Sequence, residues 1–240
     1  MMIVEIKNLS KSYDKKSSAI KSLNFNIEDG KFHAFIGSNG SGKTTTIKSI
    51  VGAYANFNGE ILIRGHSNQE AIAKKYISYM PENPNFPKEL NLYKYIYSLG
   101  LLSGLNKKDI ETKTNEILQT LKIDKYKNKK PLNFSSGEKR KALLAQCLIS
   151  NPDLLIMDEP AANLDPQARQ ELFSILNSFV QNGKSVFIST HELNEVNKFV
   201  NYVTIIEKGT IIYSGDFNSK DNLENFYFQK IKEYYEQKNN

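Results

Sequence analysis

Cysteine is nearly missing from this sequence, and long apolar runs, internal repeats and low-complexity linkers are missing altogether. Each absence removes a class of protein. The single cysteine, Cys147, has no partner for an internal disulfide, and its apolar neighbours point to a small buried hydrophobe in a reducing compartment rather than a reactive thiol. The longest unbroken apolar stretches, such as Leu154 to Met157, fall far short of the roughly 18 residues that cross a bilayer, so the chain is expected to span nothing. No secretory signal is expected either, because Ile3-Val4-Glu5-Ile6-Lys7 interleaves acid and base with apolar side chains.

What is present is a chain of 240 residues, 40% apolar and 24% charged, enough to bury a core in one large domain or two closely joined subdomains. The formal charge of +6 raises nucleic acid or anionic lipid as a partner. The densest basic stretch, Lys122 to Lys130, is broken by Asp124 and has only Tyr126 as an aromatic, so it reads as a solvated face.

Hydrophobic spacing divides the chain. Leu23, Phe25 and Ile27 alternate with polar residues, Asp29-Gly30 supplies a turn, and Phe32 to Ile36 continues as a second strand, which predicts an N-terminal antiparallel hairpin. Ile36 leads into a glycine-rich loop and a helix over Thr45 to Val51. Short strands are expected at Ile61 to Ile63 and at Tyr76 to Met80, the latter stopped by Pro81. Between Pro87 and Asn151 helices dominate: Ile110, Ile117, Leu118 and Leu121 share one helical face, and Lys139 to Ile149 makes another helix. From Asp153 strands and helices alternate, with strands Leu154 to Met157 and Val186 to Ser189 and helices Pro166 to Val180 and Leu193 to Val200. That order predicts a mostly parallel sheet covered by helices. Two short strands, Val203 to Glu207 and Thr210 to Tyr213, and a Tyr-rich helix end the chain.

The glycine-rich loop carries the chemistry. Gly37-Ser38-Asn39-Gly40-Ser41-Gly42-Lys43-Thr44 fits the P-loop pattern in full, between a predicted strand and a predicted helix. Glycines let the backbone wrap so that its N–H groups and the helix N-terminus face phosphates. Lys43 is placed to neutralise the β and γ phosphates and the Thr44 hydroxyl to bind Mg²⁺; Thr45 completes the set of candidate nucleotide-binding residues. Leu154 to Met157 ends in Asp158-Glu159, two acids at the carboxyl edge of the sheet, where ligands of such sheets bind. Asp158 is the candidate Mg²⁺ ligand and Glu159 the base that accepts a proton from attacking water. Further on, Ser135 and Glu138 in Phe134-Ser135-Ser136-Gly137-Glu138 form the capping box of the next helix, and a capped helix start is also an anion site.

With these motifs in this order, the chain resembles the ABC ATPase family over nearly its whole length. In the family the segment at Ser135 is the signature loop, usually Leu-Ser-Gly-Gly-Gln, of which Ser135 and Gly137 remain here. The resemblance implies that these two contact the γ-phosphate of ATP bound to another subunit, so that the site is complete only in a head-to-tail dimer. It also implies that Tyr13 stacks on adenine, that Asn163-Leu164-Asp165 is the D-loop signalling between sites, and that His191 is the switch histidine at the γ-phosphate. Glu82, in Tyr79-Met80-Pro81-Glu82, stands where the family has its Q-loop glutamine; a carboxylate there still serves Mg²⁺ or water but adds negative charge beside ATP. Pro-Glu forms of this loop, and Leu223 to Phe228 near the C-terminus, resemble the branch that powers export permeases.

The fold expected is therefore α/β: a P-loop NTPase core with a mostly parallel sheet, an N-terminal antiparallel β subdomain and an inserted helical subdomain. The resemblance implies one ATP-binding domain over residues 1–240, with the helical insertion at approximately 86–150 and C-terminal strands and helix at 201–240. It implies an ATPase with ATP and Mg²⁺, peripheral on the cytoplasmic face of the cell membrane, working as a homodimer or heterodimer with transmembrane permease subunits, most simply in export. The resemblance places Phe86, Tyr93, Tyr95 and Tyr97 where such subunits receive a short helix from the membrane partner, and the competing reading of each is that it fills the helical subdomain. A soluble ABC ATPase acting on nucleic acid or ribosomes is the competing class, but its members carry a long coiled-coil insertion or two cassettes, and neither is in this sequence. A non-hydrolysing regulator is disfavoured by Glu159 and His191, and nucleic acid is not expected as a partner.

Overall fold

The computed structural model describes residues 1–13, 18–83 and 85–239. Two sheets form its frame. The first is antiparallel, in the order β2 (Ser18–Glu28), β1 (Met2–Ser12), β4 (Asn58–Ile63), β5 (His66–Ser67). In the second, β3 (Phe32–Ile36) lies between β8 (Ser185–Thr190) and β9 (Tyr202–Glu207), with β7 (Leu154–Asp158) and β6 (Ile77–Met80) beyond β8. These five strands are parallel; β10 (Thr210–Asp216) closes the other edge antiparallel to β9.

The hairpin expected from Leu23 to Ile36 does not form. The turn at Asp29-Gly30 is there, but β2 pairs with β1, Phe25 facing Ile6, while β3 leaves for the parallel sheet. The reason is burial: all five residues of β3 are inside, as befits a central strand covered on both faces, whereas β2 has the alternation of a strand with one wet face. Asp29 is engaged instead by Arg64, whose two guanidinium nitrogens each donate at 2.7 Å.

The helices are α1 (Lys43–Ile50), α2 (Ala71–Lys74), α3 (Leu92–Leu102), α4 (Lys107–Thr120), α5 (Ser136–Leu148), α6 (Pro166–Gln181), α7 (Leu193–Val196) and α8 (Leu223–Asn239). The helix expected over Leu193 to Val200 is thus a single turn. Asn197 ends it by turning its side chain to the α8 segment, donating to the Ser219 carbonyl and accepting from the Leu223 N–H. Among the described residues no helix is long and apolar enough to cross a membrane.

Alternate side chains of β3 feed two cores. Phe35 joins Phe25, Phe187, Ile47 and Ile50 between the two sheets and α1, with Phe25, Phe35 and Phe187 stacked at centroid distances of 5.4–6.2 Å. Phe32, Ala34 and Ile36 join the apolar faces of α3 to α6 on the other side. The carboxyl ends of β3, β7 and β8 consequently lie side by side, and each runs into a segment with candidate functional residues.

Candidate functional site

The loop from Gly37 to Gly42 is held by close approach. A Cβ on Gly37 would sit 2.3 Å from the Ile206 carbonyl oxygen and 2.5 Å from Ser41 Oγ, so no larger residue fits without displacing β9. Gly42 caps α1 from the left-handed region (φ 113°), and among the described residues no side chain caps that helix. Its first-turn N–H groups are therefore left to an anionic ligand. Lys43 is 6% exposed, and its Nζ bends back to donate to the carbonyls of Gly37 (2.7 Å) and Ser38 (3.2 Å). Burial pushes the Lys43 pKa down, against the pull of the Glu159 and Asp158 carboxylates. Ser41 Oγ is buried and has no hydrogen-bond partner among the described residues.

At the end of β7, Asp158 is buried and its Oδ1 accepts from Ser189 Oγ at 2.6 Å. The same Ser189 oxygen accepts from the Glu159 backbone N–H at 2.9 Å. Glu159 stands in the left-handed region (φ 46°), a conformation that costs of order 1–3 kcal/mol for a residue with a side chain and has to be imposed by its surroundings. The turn aims its carboxylate back over the P-loop: Oε1 is 3.8 Å from Lys43 Nζ and Oε2 is 3.0 Å from His191 Nδ1. His191, at the end of β8, is half exposed.

One cavity of about 410 Å³ unites Tyr13, Lys43, Thr44, Glu82, Glu159 and His191; Asn39, Gly40, Gly42 and Thr45 also line it. Tyr13 is mostly exposed, its hydroxyl 3.0 Å from Thr45 Oγ1 and its ring edge-on to Tyr54 at 6.0 Å. A cavity of about 440 Å³ between α5 and α6, floored by Leu144, Leu155 and Phe179, contains none of these groups and is apolar. Ser135 and Gly137 are not brought into the nucleotide-sized cavity. They open α5, where Ser135 Oγ accepts from the Glu138 N–H (3.3 Å) and the Ser135 N–H donates to the Glu138 carboxylate (2.9 Å). Asp165, at the end of the Asn163-Leu164-Asp165 segment, caps α6 by accepting from the Ala168 N–H.

Ser189 and Arg140 belong to this arrangement and were not singled out by sequence. Ser189 sits beside Thr190 and His191 at a strand end, a position that hinted at it. Arg140, within Lys139-Arg140-Lys141, reads as surface charge, yet it is buried.

A family model described as ABC transporter matches residues 20–162. A Mycoplasma pneumoniae protein provisionally named as an ABC transporter ATP-binding protein is 45% identical, over 92% of this chain and 69% of its own length. The lantibiotic transport ATP-binding protein SrtF of Streptococcus pyogenes is 34% identical, over 95% of this chain and 97% of its own. A solved structure of an ATP-binding subunit of an ABC transporter superposes with a TM-score of 0.86 at 26% identity, covering 95% of this chain and 99% of that one. On these matches, and on a P-loop that faces Asp158, Glu159 and His191, the chain belongs to the ABC transporter family and is an ATP-binding subunit that hydrolyses ATP for transport.

Proposed function

We propose that this subunit closes head to tail with a second copy or a related ATPase subunit over two ATP molecules, and that closure drives export through membrane-embedded partner subunits on whose cytoplasmic face it sits. The observation that carries this reading is the Glu159 carboxylate held between Lys43 and His191 within the cavity lined by the P-loop. When phosphate enters, Lys43 exchanges the Gly37 and Ser38 carbonyls for β- and γ-phosphate oxygens, and the uncapped start of α1 supplies N–H donors. Glu159, freed from Lys43, accepts a proton from the attacking water, and His191 meets the γ-phosphate. Tyr13 leaves Thr45 to stack on adenine.

The donor set fits magnesium. Asp158, Glu82 and Thr44 offer the hard oxygen ligands that Mg²⁺ takes, and among the described residues no trio of His, Cys, Asp or Glu makes a metal site without nucleotide. These three residues would hold the ion together with phosphate oxygens, and its chemistry is neutralisation of phosphate charge. Ser135 and Gly137, outside their own chain's cavity, are free to reach the ATP of the facing subunit. On this reading residues 86–150, approximately, form the inserted helical subdomain within a single cassette, and 201–240 form its C-terminal strands and helix.

The direct test is Glu159→Gln. Its ATPase rate should fall by about a hundredfold or more, the range of a lost general base, while ATP with Mg²⁺ traps a dimer visible by light scattering. Turnover at the wild-type rate in this variant would remove Glu159 from the role assigned to it.

A further inference from the structure

Arg140 is only 6% exposed, and among the described residues it forms no ion pair with a carboxylate. Burying such a charge is costly unless hydrogen bonds satisfy it. Among the described residues all its hydrogen-bond partners are backbone carbonyls: Pro81 at 3.2 Å, Ala162 at 3.3 Å and Glu159 at 3.4 Å. They come from three places: the segment that leads to Glu82, the strained turn at Glu159, and the residue just before Asn163-Leu164-Asp165. The Arg140 side chain itself rises from α5, within about a turn and a half of Ser135 and within a turn of Gly137.

The carbonyl of Glu159 also accepts from the Ala162 N–H at 3.2 Å, and its N–H is held by Ser189. Both ends of the left-handed peptide are thereby fixed, one from β8 and one from α5. Burial pushes the Arg140 pKa down, and the negative charge of Glu82 opposes that shift. The cation thus also offsets the acid that stands where the family has glutamine.

Resting on the ATPase reading above, we propose that Arg140 is a positioning residue for hydrolysis: it seats the Glu159 turn from α5, so that the helix facing the partner's nucleotide also sets the geometry of the water-activating carboxylate in its own subunit. Arg140 touches no substrate atom. Moving α5 relative to β6 and β7 breaks three hydrogen bonds at once and releases the Glu159 turn.

The test is steady-state ATPase and affinity for a fluorescent ATP analogue, measured on the full chain with Arg140→Ala and with Arg140→Lys, beside Glu159→Gln. In Arg140→Ala kcat should fall about 100-fold, the cost of roughly 1 Å misplacement of a reacting group, while nucleotide Kd moves less than about threefold. Millimolar guanidinium should return part of that kcat by filling the vacated space, and should leave Glu159→Gln unmoved. Arg140→Lys keeps the charge without the planar fork and should lose at least about tenfold in kcat at unchanged Kd; it decides the matter alone where Arg140→Ala does not fold. A kcat within about twofold of wild type, affinity falling in step with kcat, or no rescue by guanidinium overturns the proposal. An inactive wild-type chain brings down the ATPase reading and this inference with it, whereas an active wild type with an equally active Arg140→Ala brings down this inference alone.

Discussion

At the scale of single residues, burial decides which side chains titrate and react. His33 lies inside β3 between the rings of Phe187 and Tyr202, sharing a hydrogen bond with Thr204 Oγ1 at 2.8 Å, and burial pushes its pKa down to about 3 from an ordinary value near 6.5. Below pH 6.5 the unfolded chain therefore binds a proton that the native chain refuses, and stability falls as pH drops toward 3. At pH 5 the loss is about 2 kcal/mol, at about 1.4 kcal/mol per pH unit. Urea unfolding of wild type and His33→Gln at pH 7 and pH 5 checks this: the wild type should lose more stability than the variant, and parallel losses would remove His33 as the cause. Cys147 is fully buried with its pKa pushed up to about 12, so alkylation by iodoacetamide should occur only as fast as the fold opens. Labelling within seconds in native buffer would contradict that. Tyr13, by contrast, is exposed and waits on the cavity rim; Tyr13→Ala should raise the KM for ATP about tenfold with little change in kcat, the range of one lost base-stacking contact. These single-residue environments were only partly legible in the chain. Cys147 among apolar neighbours announced its burial, but nothing near His33 in sequence foretold Phe187, Tyr202 and Thr204, which arrive from other strands.

At the scale of elements, the start of α5 is a helix cap and, on the proposed dimer, also an ATP contact, two roles that substitutions can separate. Ser135 caps the helix, and an uncapped start costs about 1 kcal/mol. Ser135→Ala should lower stability by about that much, whereas Ser135→Asp, an equally good cap, should leave it nearly unchanged. If Ser135 also faces the partner's γ-phosphate, both variants lose ATPase activity, the aspartate the more severely because it sets one anion against another. Wild-type turnover in Ser135→Asp would leave the residue only its cap. The elements themselves were legible wherever the signal is local: β7 and β8 as short apolar runs, α6 as an apolar stripe behind Asp165-Pro166, α5 from its capping box. They were misread where pairing decides. Asp29-Gly30 marks a turn but does not say that the strand after it changes sheets, because the reward for that choice lies in burying β3 between β8 and β9.

At the scale of the whole molecule, the proposed head-to-tail dimer requires that each cassette be incomplete alone. One subunit presents the P-loop, Glu159 and His191 around a single cavity, with Asp158 buried next to Glu159 on Ser189, while Ser135 and Gly137 lie outside it. Turnover per subunit should accordingly rise with protein concentration across about a hundredfold range until dimers saturate, the behaviour of any state that depends on association. A constant specific activity from a chain that stays monomeric with ATP would contradict the shared site. What the sequence by itself determined is the chemistry: the P-loop and the apolar strand ending in two acids are contiguous motifs, and their phosphate and water chemistry follows from residue types at fixed short spacing. What only the tertiary structure decided is how those motifs are held in register. Ser189 bridging Asp158 to Glu159, His191 reaching the Glu159 carboxylate, and Arg140 tying α5 to the turns at Pro81, Glu159 and Ala162 all join residues far apart in the chain. Such contacts have no local signature, because they are made by the packing of two sheets and a helical layer around a common edge, and packing is a property of the folded whole.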